Sequence, residues 1–187
     1  MNPITNHTEY IEAVDATIGV RLPRAYLAQG RSTGLTQRQR LVGGFTVITE
    51  APFRSLLQLP ARSRSTLEAT LLRLGGRVVE ANGLFLLPQV RTPSTIVCFW
   101  RGLVEALKRA DATFVLFSYS ASSQKLARFY APVRPISLYC GPVGVIEGMR
   151  APDVERVCLT TVTQIERITT SNTWLTQRIS GRAEASL

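Results

Sequence analysis

Few residues in this chain combine a reactive type with a useful spacing. Glu80 and Asn82 stand two apart in an apolar, strand-like segment. Side chains alternate along a strand, so Glu80, Asn82 and Leu84 fall on one face and two polar groups line one cleft. A carboxylate so placed can take a proton from a nucleophile; its plainer role is an edge carboxylate paired with nearby arginines. Cys98 has no histidine close in sequence to act as its base, and it reads, like Cys140 and Cys158, as an inert thiol in or near the core. Three cysteines without a pairing pattern suit a reducing cytoplasm. With His7 the single histidine, sites built from several imidazoles are excluded and no metal is expected. Asp111 and Asp153 read as turn residues.

Charge supplies the second chemical feature. The net charge is +9, and only Lys108 and Lys125 among the 22 basic residues are not arginine. Ten arginines between Arg21 and Arg77 face only Glu50 and Glu68, which puts most of the excess in that region. Arginine binds phosphate and carboxylate bidentately, so an anionic partner is expected, with a phosphorylated cofactor, an acidic carrier protein and nucleic acid all qualifying. The longest apolar runs are too short to span a bilayer, so no membrane is expected, and no secretory leader is read at the N-terminus. A homodimer is compatible with the composition.

The elements that must position these groups follow from periodicity. Thr8 reads as the cap of a helix ending at Ile18, with Gly19 as its stop. Ala25–Gln29 reads as a short strand, 30–39 as a long polar hairpin loop, and Leu41–Thr49 as the returning strand. There Gly43 and Gly44 mark a bulge or a close approach. Pro52–Arg64 is irregular or short helix, and Ser65-Thr66-Leu67-Glu68 is a capping box opening a helix to Gly75. The segment Leu84–Val90 is a strand interrupted by Pro88. A helix capped by Ser94 or Thr95 then carries Ile96, Val97, Phe99, Trp100, Leu103, Val104 and Leu107 on one face. Thr113–Phe117 reads as a buried strand, parallel to and beside Leu84–Leu87. A helix from Ser120 or Ser122 turns Leu126, Phe129 or Tyr130 and Val133 inward. The strand Ile136–Tyr139, a connection over 142–152, an antiparallel strand Val154–Val162 and a helix from Thr163 to Leu175 complete an α/β domain with a fraying end.

In this order the chain resembles the GCN5-related N-acetyltransferase superfamily over roughly Ala25–Val162. The matching pieces are AYLAQ with RLVGGFTVIT, VVEANGLFLLPQVR, IVCFWRGLVEALKRA, TFVLFSY and SSQKLARFYAPV. The resemblance implies one domain over 1–187, with its core at about 25–162, an insertion at 51–77 and a helical tail at 163–187. The fold it implies is a single mixed, splayed sheet flanked by helices, with an acyl-CoA or acyl-carrier thioester as co-substrate between the fourth and fifth strands. Leu86, Leu87 and Val90 would line that gap. Arg91 takes the first basic position of the family's pyrophosphate loop, followed by Ser94 and Thr95, and Ser122 stands near the family's asparagine. Tyr130 matches the proton donor to the leaving thiolate in Leu-x-x-Phe-Tyr, and Glu80 matches the base.

This loop departs from the family. Ser94 and Ile96 replace glycines, Pro93 offers no amide hydrogen, and Ile96 would crowd a pyrophosphate. The loop either binds with the Arg91, Ser94 and Thr95 side chains compensating, or no longer binds. A narrower resemblance, to acyl-homoserine lactone synthases, rests on VGGFTVITEAPFRSLLQLP and on Val79-Glu80, without the serine-arginine that follows in that family. It implies delivery by an acyl carrier protein docked on the arginine-rich insertion. The implied activity is transfer of an acyl group from a thioester to an amine or similar nucleophile by direct attack. The alternative is a regulatory, nucleic-acid-binding or partner-subunit protein on a degenerate copy of the fold, though no helix-turn-helix, zinc or aromatic RNA-binding signature is present.

Overall fold

In the computed structural model, which describes residues 1–170, α1 (His7–Ile18) follows a two-residue strand, β1 (Asn2–Pro3). Asn6, not Thr8, caps α1, its Oδ1 accepting from the Glu9 amide at 3.4 Å, while the Thr8 hydroxyl accepts from Arg24. Gly19 ends α1 at φ 76° as predicted. The predicted strand at Ala25–Gln29 is instead one helical turn, α2 (Arg24–Leu27), which buries Tyr26 and Leu27 side by side. The predicted polar loop is a strand: β2 (Gly30–Gln37) pairs antiparallel with β3 (Arg40–Ile48) along its length. Arg38 and Gln39, both at positive φ, close a tight two-residue hairpin.

After α3 (Arg54–Leu57), α4 (Ala61–Leu72) starts at Pro60, a turn ahead of the Ser65–Glu68 box; Ser65 Oγ donates back to the Ala61 carbonyl and caps nothing. β4 (Val78–Leu86) stops before Pro88, and 88–90 is a 3₁₀ turn, not strand. Thr92, not Ser94 or Thr95, caps α5 (Pro93–Arg109), accepting from the Thr95 amide at 3.2 Å with Pro93 in the first helical position it favours. Ile96, Phe99, Trp100, Leu103, Val104 and Leu107 are buried as predicted. Cys98 falls on the outer side of this helix and is exposed, as is Cys140, so Cys158 alone is a core thiol.

β5 (Phe114–Ser120) leads to α6 (Gln124–Tyr130), capped by Ser123 in place of Ser120 or Ser122. β6 (Ile136–Val143) runs past Tyr139 into the predicted connection, and β7 (Asp153–Thr161) returns antiparallel to it. α7 (Val162–Thr170) follows; the rest of the predicted helix to Leu175 and the fraying end lie outside the described residues. No helix among the described residues is long and apolar enough to cross a membrane.

The seven strands make one mixed sheet in the order β1-β2-β3-β4-β5-β7-β6, parallel only between β4 and β5. One core lies under α5 and α7, where Phe99, Leu103 and Leu107 meet Val79, Val115, Phe117 and Ile165. The other lies under α1 to α4, where Tyr10, Leu27 and Leu56 meet Ile48, Phe85 and Leu116. Each such side chain contributes about 1.5–3 kcal/mol when fully buried, so the sheet is fixed from both sides.

Candidate active site at the opening of the sheet

The sheet opens at the seam between the parallel strands. β4 and β5 pair only at Val78↔Phe114, Val79↔Val115 and Glu80↔Leu116. Beyond that rung β4 continues to Leu86 and β5 to Ser120 without pairing to each other. The predicted parallel neighbours are thus correct as strands, but Leu84–Leu87 has already left β5. A bulge bends β4 away: Asn82 and Phe85 lie opposite Thr46 and Gly44, three steps on one strand against two on the other. Gly83 takes up the extra residue at φ 61°. Tyr10 Oη donates to its carbonyl at 3.1 Å and accepts from Thr46 Oγ1 at 3.1 Å, and Ser32 completes the buried hydroxyl chain at 2.8 Å. The bulge also resets the alternation. Leu84 packs on the α5 side, so it does not share a face with Glu80 and Asn82.

On the α5 side, Leu86 is buried and Val90 half-buried beside the strand end, whereas Leu87, also half-buried, packs on the opposite core. Arg91 Nε donates to the Leu86 carbonyl at 2.8 Å, tying the loop to β4. The Thr92, Ser94 and Thr95 hydroxyls cluster at the α5 N-terminus, Thr92 lying 3.1 Å from Ser94 and 2.8 Å from Thr95. Ile96 turns into the core and away from this end of the helix. Ser122 is exposed, its hydroxyl 2.9 Å from that of Ser120. Tyr130 packs on Phe117 and Tyr119, ring centroids 4.6 and 5.2 Å away, and its hydroxyl bonds to no described residue. Burial, aided by neighbouring Tyr119, pushes its phenol far above the ordinary value, so it stays protonated at working pH.

The opposite face carries Glu80 together with residues that the sequence did not single out. Glu80 is 0% exposed and accepts four hydrogen bonds: from Tyr26 Oη at 2.6 Å, the Arg54 amide at 2.8 Å, and the Ser55 amide at 2.6 Å and hydroxyl. Both oxygens are engaged at the rung where the seam opens, and no arginine side chain pairs with them. One turn after Arg54, Gln58 Nε2 donates to Ser118 Oγ at 3.3 Å and reaches Glu155 Oε2 at 3.5 Å. Burial first, then neighbouring Asp153, raises the Glu155 carboxyl above the usual range, against the bonds from Ser118 and Gln58. Arg54, Gln58, Ser118 and Glu155 sit on three separate elements and lack any motif; only the fold brings them together. Among the described residues no His, Cys, Asp and Glu group suits a metal ion.

The sequence matches no protein-family model and no curated protein. Solved structures do resemble the chain. FeeM, an N-acyl amino acid synthase from uncultured soil microbes, superposes with a TM-score of 0.61 at 14% identity, over 88% of this chain and 95% of that one. A GNAT family acetyltransferase from Elizabethkingia anophelis with acetyl-CoA bound gives 0.56 at 9% identity, over 86% and 95%. A putative acetyltransferase of Salmonella typhimurium, yncA, with its cofactor acetyl-CoA, gives 0.50 at 12%, over 83% and 85%. The chain has the fold of the GCN5-related N-acetyltransferases.

Proposed function

We propose that the protein is an acyltransferase that moves an acyl group from a CoA or acyl-carrier thioester to an amine or similar nucleophile. The observation that carries this reading is the seam: two parallel strands held apart by a clamped bulge, with unlike polar groups on its two faces. The thioester lies along the free edge of β4, against Leu86 and Val90, with its phosphate end toward Arg91, Ser94, Thr95 and Ser122. The amine approaches from the α3 side and attacks the thioester carbonyl directly. Its proton passes to a carboxylate while the carbon–sulfur bond breaks, and the departing sulfur takes its proton from Tyr130.

For the base, Glu155 suits the role better than Glu80. Glu80 has both oxygens committed, two of them to backbone amides that cannot turn away, and so it positions α3 against the seam. Glu155 is half-buried, borders the open strand and carries a raised pKa, which suits it to accept a proton there. An acidic carrier fits α4 and its C-cap, where Arg62 and Arg73 are exposed and neither they nor Arg64 enter an ion pair among the described residues. The name of the FeeM neighbour favours an amino acid as acceptor.

The test is calorimetric titration of the protein with octanoyl-CoA and with octanoyl-carrier protein, followed by thiol release in the presence of amine acceptors. Binding and acceptor-dependent release are expected for at least one donor. Absence of binding to both would refute the reading, and the glycine-free loop at Pro93–Ile96 would then favour a regulatory or partner-subunit role.

A further inference from the structure

Among the ten arginines between Arg21 and Arg77, Arg54 alone is buried, at 7% exposure. Its backbone amide serves Glu80, but its guanidinium makes no hydrogen bond or ion pair among the described residues, and Nη2 is wholly buried without a partner. The Tyr26 ring lies 5.9 Å from its centre. Glu80 is already satisfied by four donors, and Glu147 and Glu155 influence Arg54 only at a distance. A guanidinium has five donors and cannot shed its charge, so holding one out of water with no acceptor is among the least favourable arrangements a protein can adopt. Such a group calls for an anion.

A cleft adjoins this guanidinium. About 280 Å³ in volume, it lies between α1, the link to α2 and the β6–β7 loop, lined by Ile11, Arg21, Leu22, Arg24, Glu147 and Gly148. Gly148 stands at φ 85°, and a Cβ there would lie 3.5 Å from Arg54 Nη2 and far inside contact distance of the Arg21 carbonyl. Gly148, hydrogen-bonded to the Arg21 amide at 3.0 Å, is thus the lining residue that packs against the guanidinium. On its other side Arg54 adjoins the seam, because its amide holds Glu80 at the last rung. Gln58, four residues on and therefore beside Arg54 on the same helical face, touches Ser118 and Glu155.

We propose that Arg54 anchors the carboxylate of the acceptor, which is a molecule of the α-amino acid class. This rests on the acyl-transfer reading and assigns its acceptor side: the carboxylate meets Arg54 bidentately, and the amine points past Gln58 toward Glu155 and the seam. Arg21 and Arg24 at the rim draw the anion in, while Ile11 and Leu22 receive an apolar side chain.

The experiment uses the full chain and pairs each of the twenty amino acids with its amide. At equal concentration, at least one amino acid raises the thermal midpoint while its amide does not. Arg54→Met, of similar length and without charge, folds and abolishes that shift; it weakens the amino acid by about 10- to 100-fold, as expected for loss of charged hydrogen bonds, and leaves octanoyl-CoA binding unchanged. No amino acid exceeding its amide in the wild type would overturn the proposal without recourse to any variant. So would an undiminished shift in folded Arg54→Met, or an equal shift from inorganic phosphate, which would mark a general anion site. Failure of octanoyl-CoA to bind tells against acyl transfer and leaves the amino acid result to decide the anchor separately.

Discussion

Replacing Glu80 by glutamine separates the positioning role of this side chain from its charge. The amide keeps the shape but exchanges one accepting oxygen for an NH₂ donor. If that donor takes the place of Oε2, the Tyr26 hydroxyl can turn to accept from it, but the Arg54 amide then faces another donor. If it takes the place of Oε1, the Ser55 hydroxyl can turn but the Ser55 amide cannot. Either way one buried backbone N–H is left without an acceptor, at about 1–3 kcal/mol, and the remaining bonds lose their charge assistance, so Glu80→Gln should cost ~2–4 kcal/mol. Tyr26→Phe, which removes one donor and leaves the carboxylate three others, should cost about half as much. Urea unfolding followed by circular dichroism measures both, with the midpoint expected to fall at unchanged slope. Combining Glu80→Gln with Arg54→Met should be less damaging than the sum, since the two charges share one low-dielectric site. A loss below ~1 kcal/mol for Glu80→Gln, or a larger loss for Tyr26→Phe than for Glu80→Gln, would refute the reasoning.

Tyr130→Phe keeps the ring stack and removes the proton donor, so single-turnover acyl transfer should slow by about 10²-fold with thioester affinity unchanged; an unaltered rate would remove Tyr130 from the chemistry. With Glu155 as base, kcat/KM should fall as pH drops through its raised pKa, on a limb lying above the ordinary carboxylate range. Glu155→Gln should remove that limb and lower the rate, and a limb that survives the substitution assigns the proton elsewhere. Changing Arg62, Arg64 and Arg73 to glutamine should weaken binding of an acyl-carrier protein and flatten its salt dependence, measured by titration at several ionic strengths. Equal affinities and equal salt slopes would make these arginines ordinary surface.

The α5 helix was legible because its apolar residues repeat on one face, and β5 because it is a short run of β-branched and aromatic residues. β2 was not. It lies near the sheet edge, buries only Ser32 and Gly34, and so carries no apolar alternation to distinguish it from a loop. α2 is a single turn, too short for periodicity to register. α4 buries only Leu67 and Leu71, and its start is set by Pro60, so the capping pattern five residues later misled. The Gly83 bulge explains the remaining error: one inserted residue reverses every side chain after it, and Leu84 changes face. In the candidate site, Tyr130 and Glu80 were visible through the family pattern. Arg54 was not, because burial alone sets it apart from the other arginines of its region. Gln58, Ser118 and Glu155 belong to three distant segments and meet only in the folded chain.

The three-rung seam also carries a cost in backbone pairing. Parallel neighbours gain by pairing along their whole length, and here the ladder is abandoned after Glu80↔Leu116 although both strands continue. Each backbone bond forgone is worth ~1 kcal/mol, and deleting a single residue at the bulge would bring the register back and allow the strands to close. With Tyr10, Thr46 and Ser32 all engaged in holding it, the gap is a cost in ladder bonds that the buried hydroxyl chain and the two cores offset.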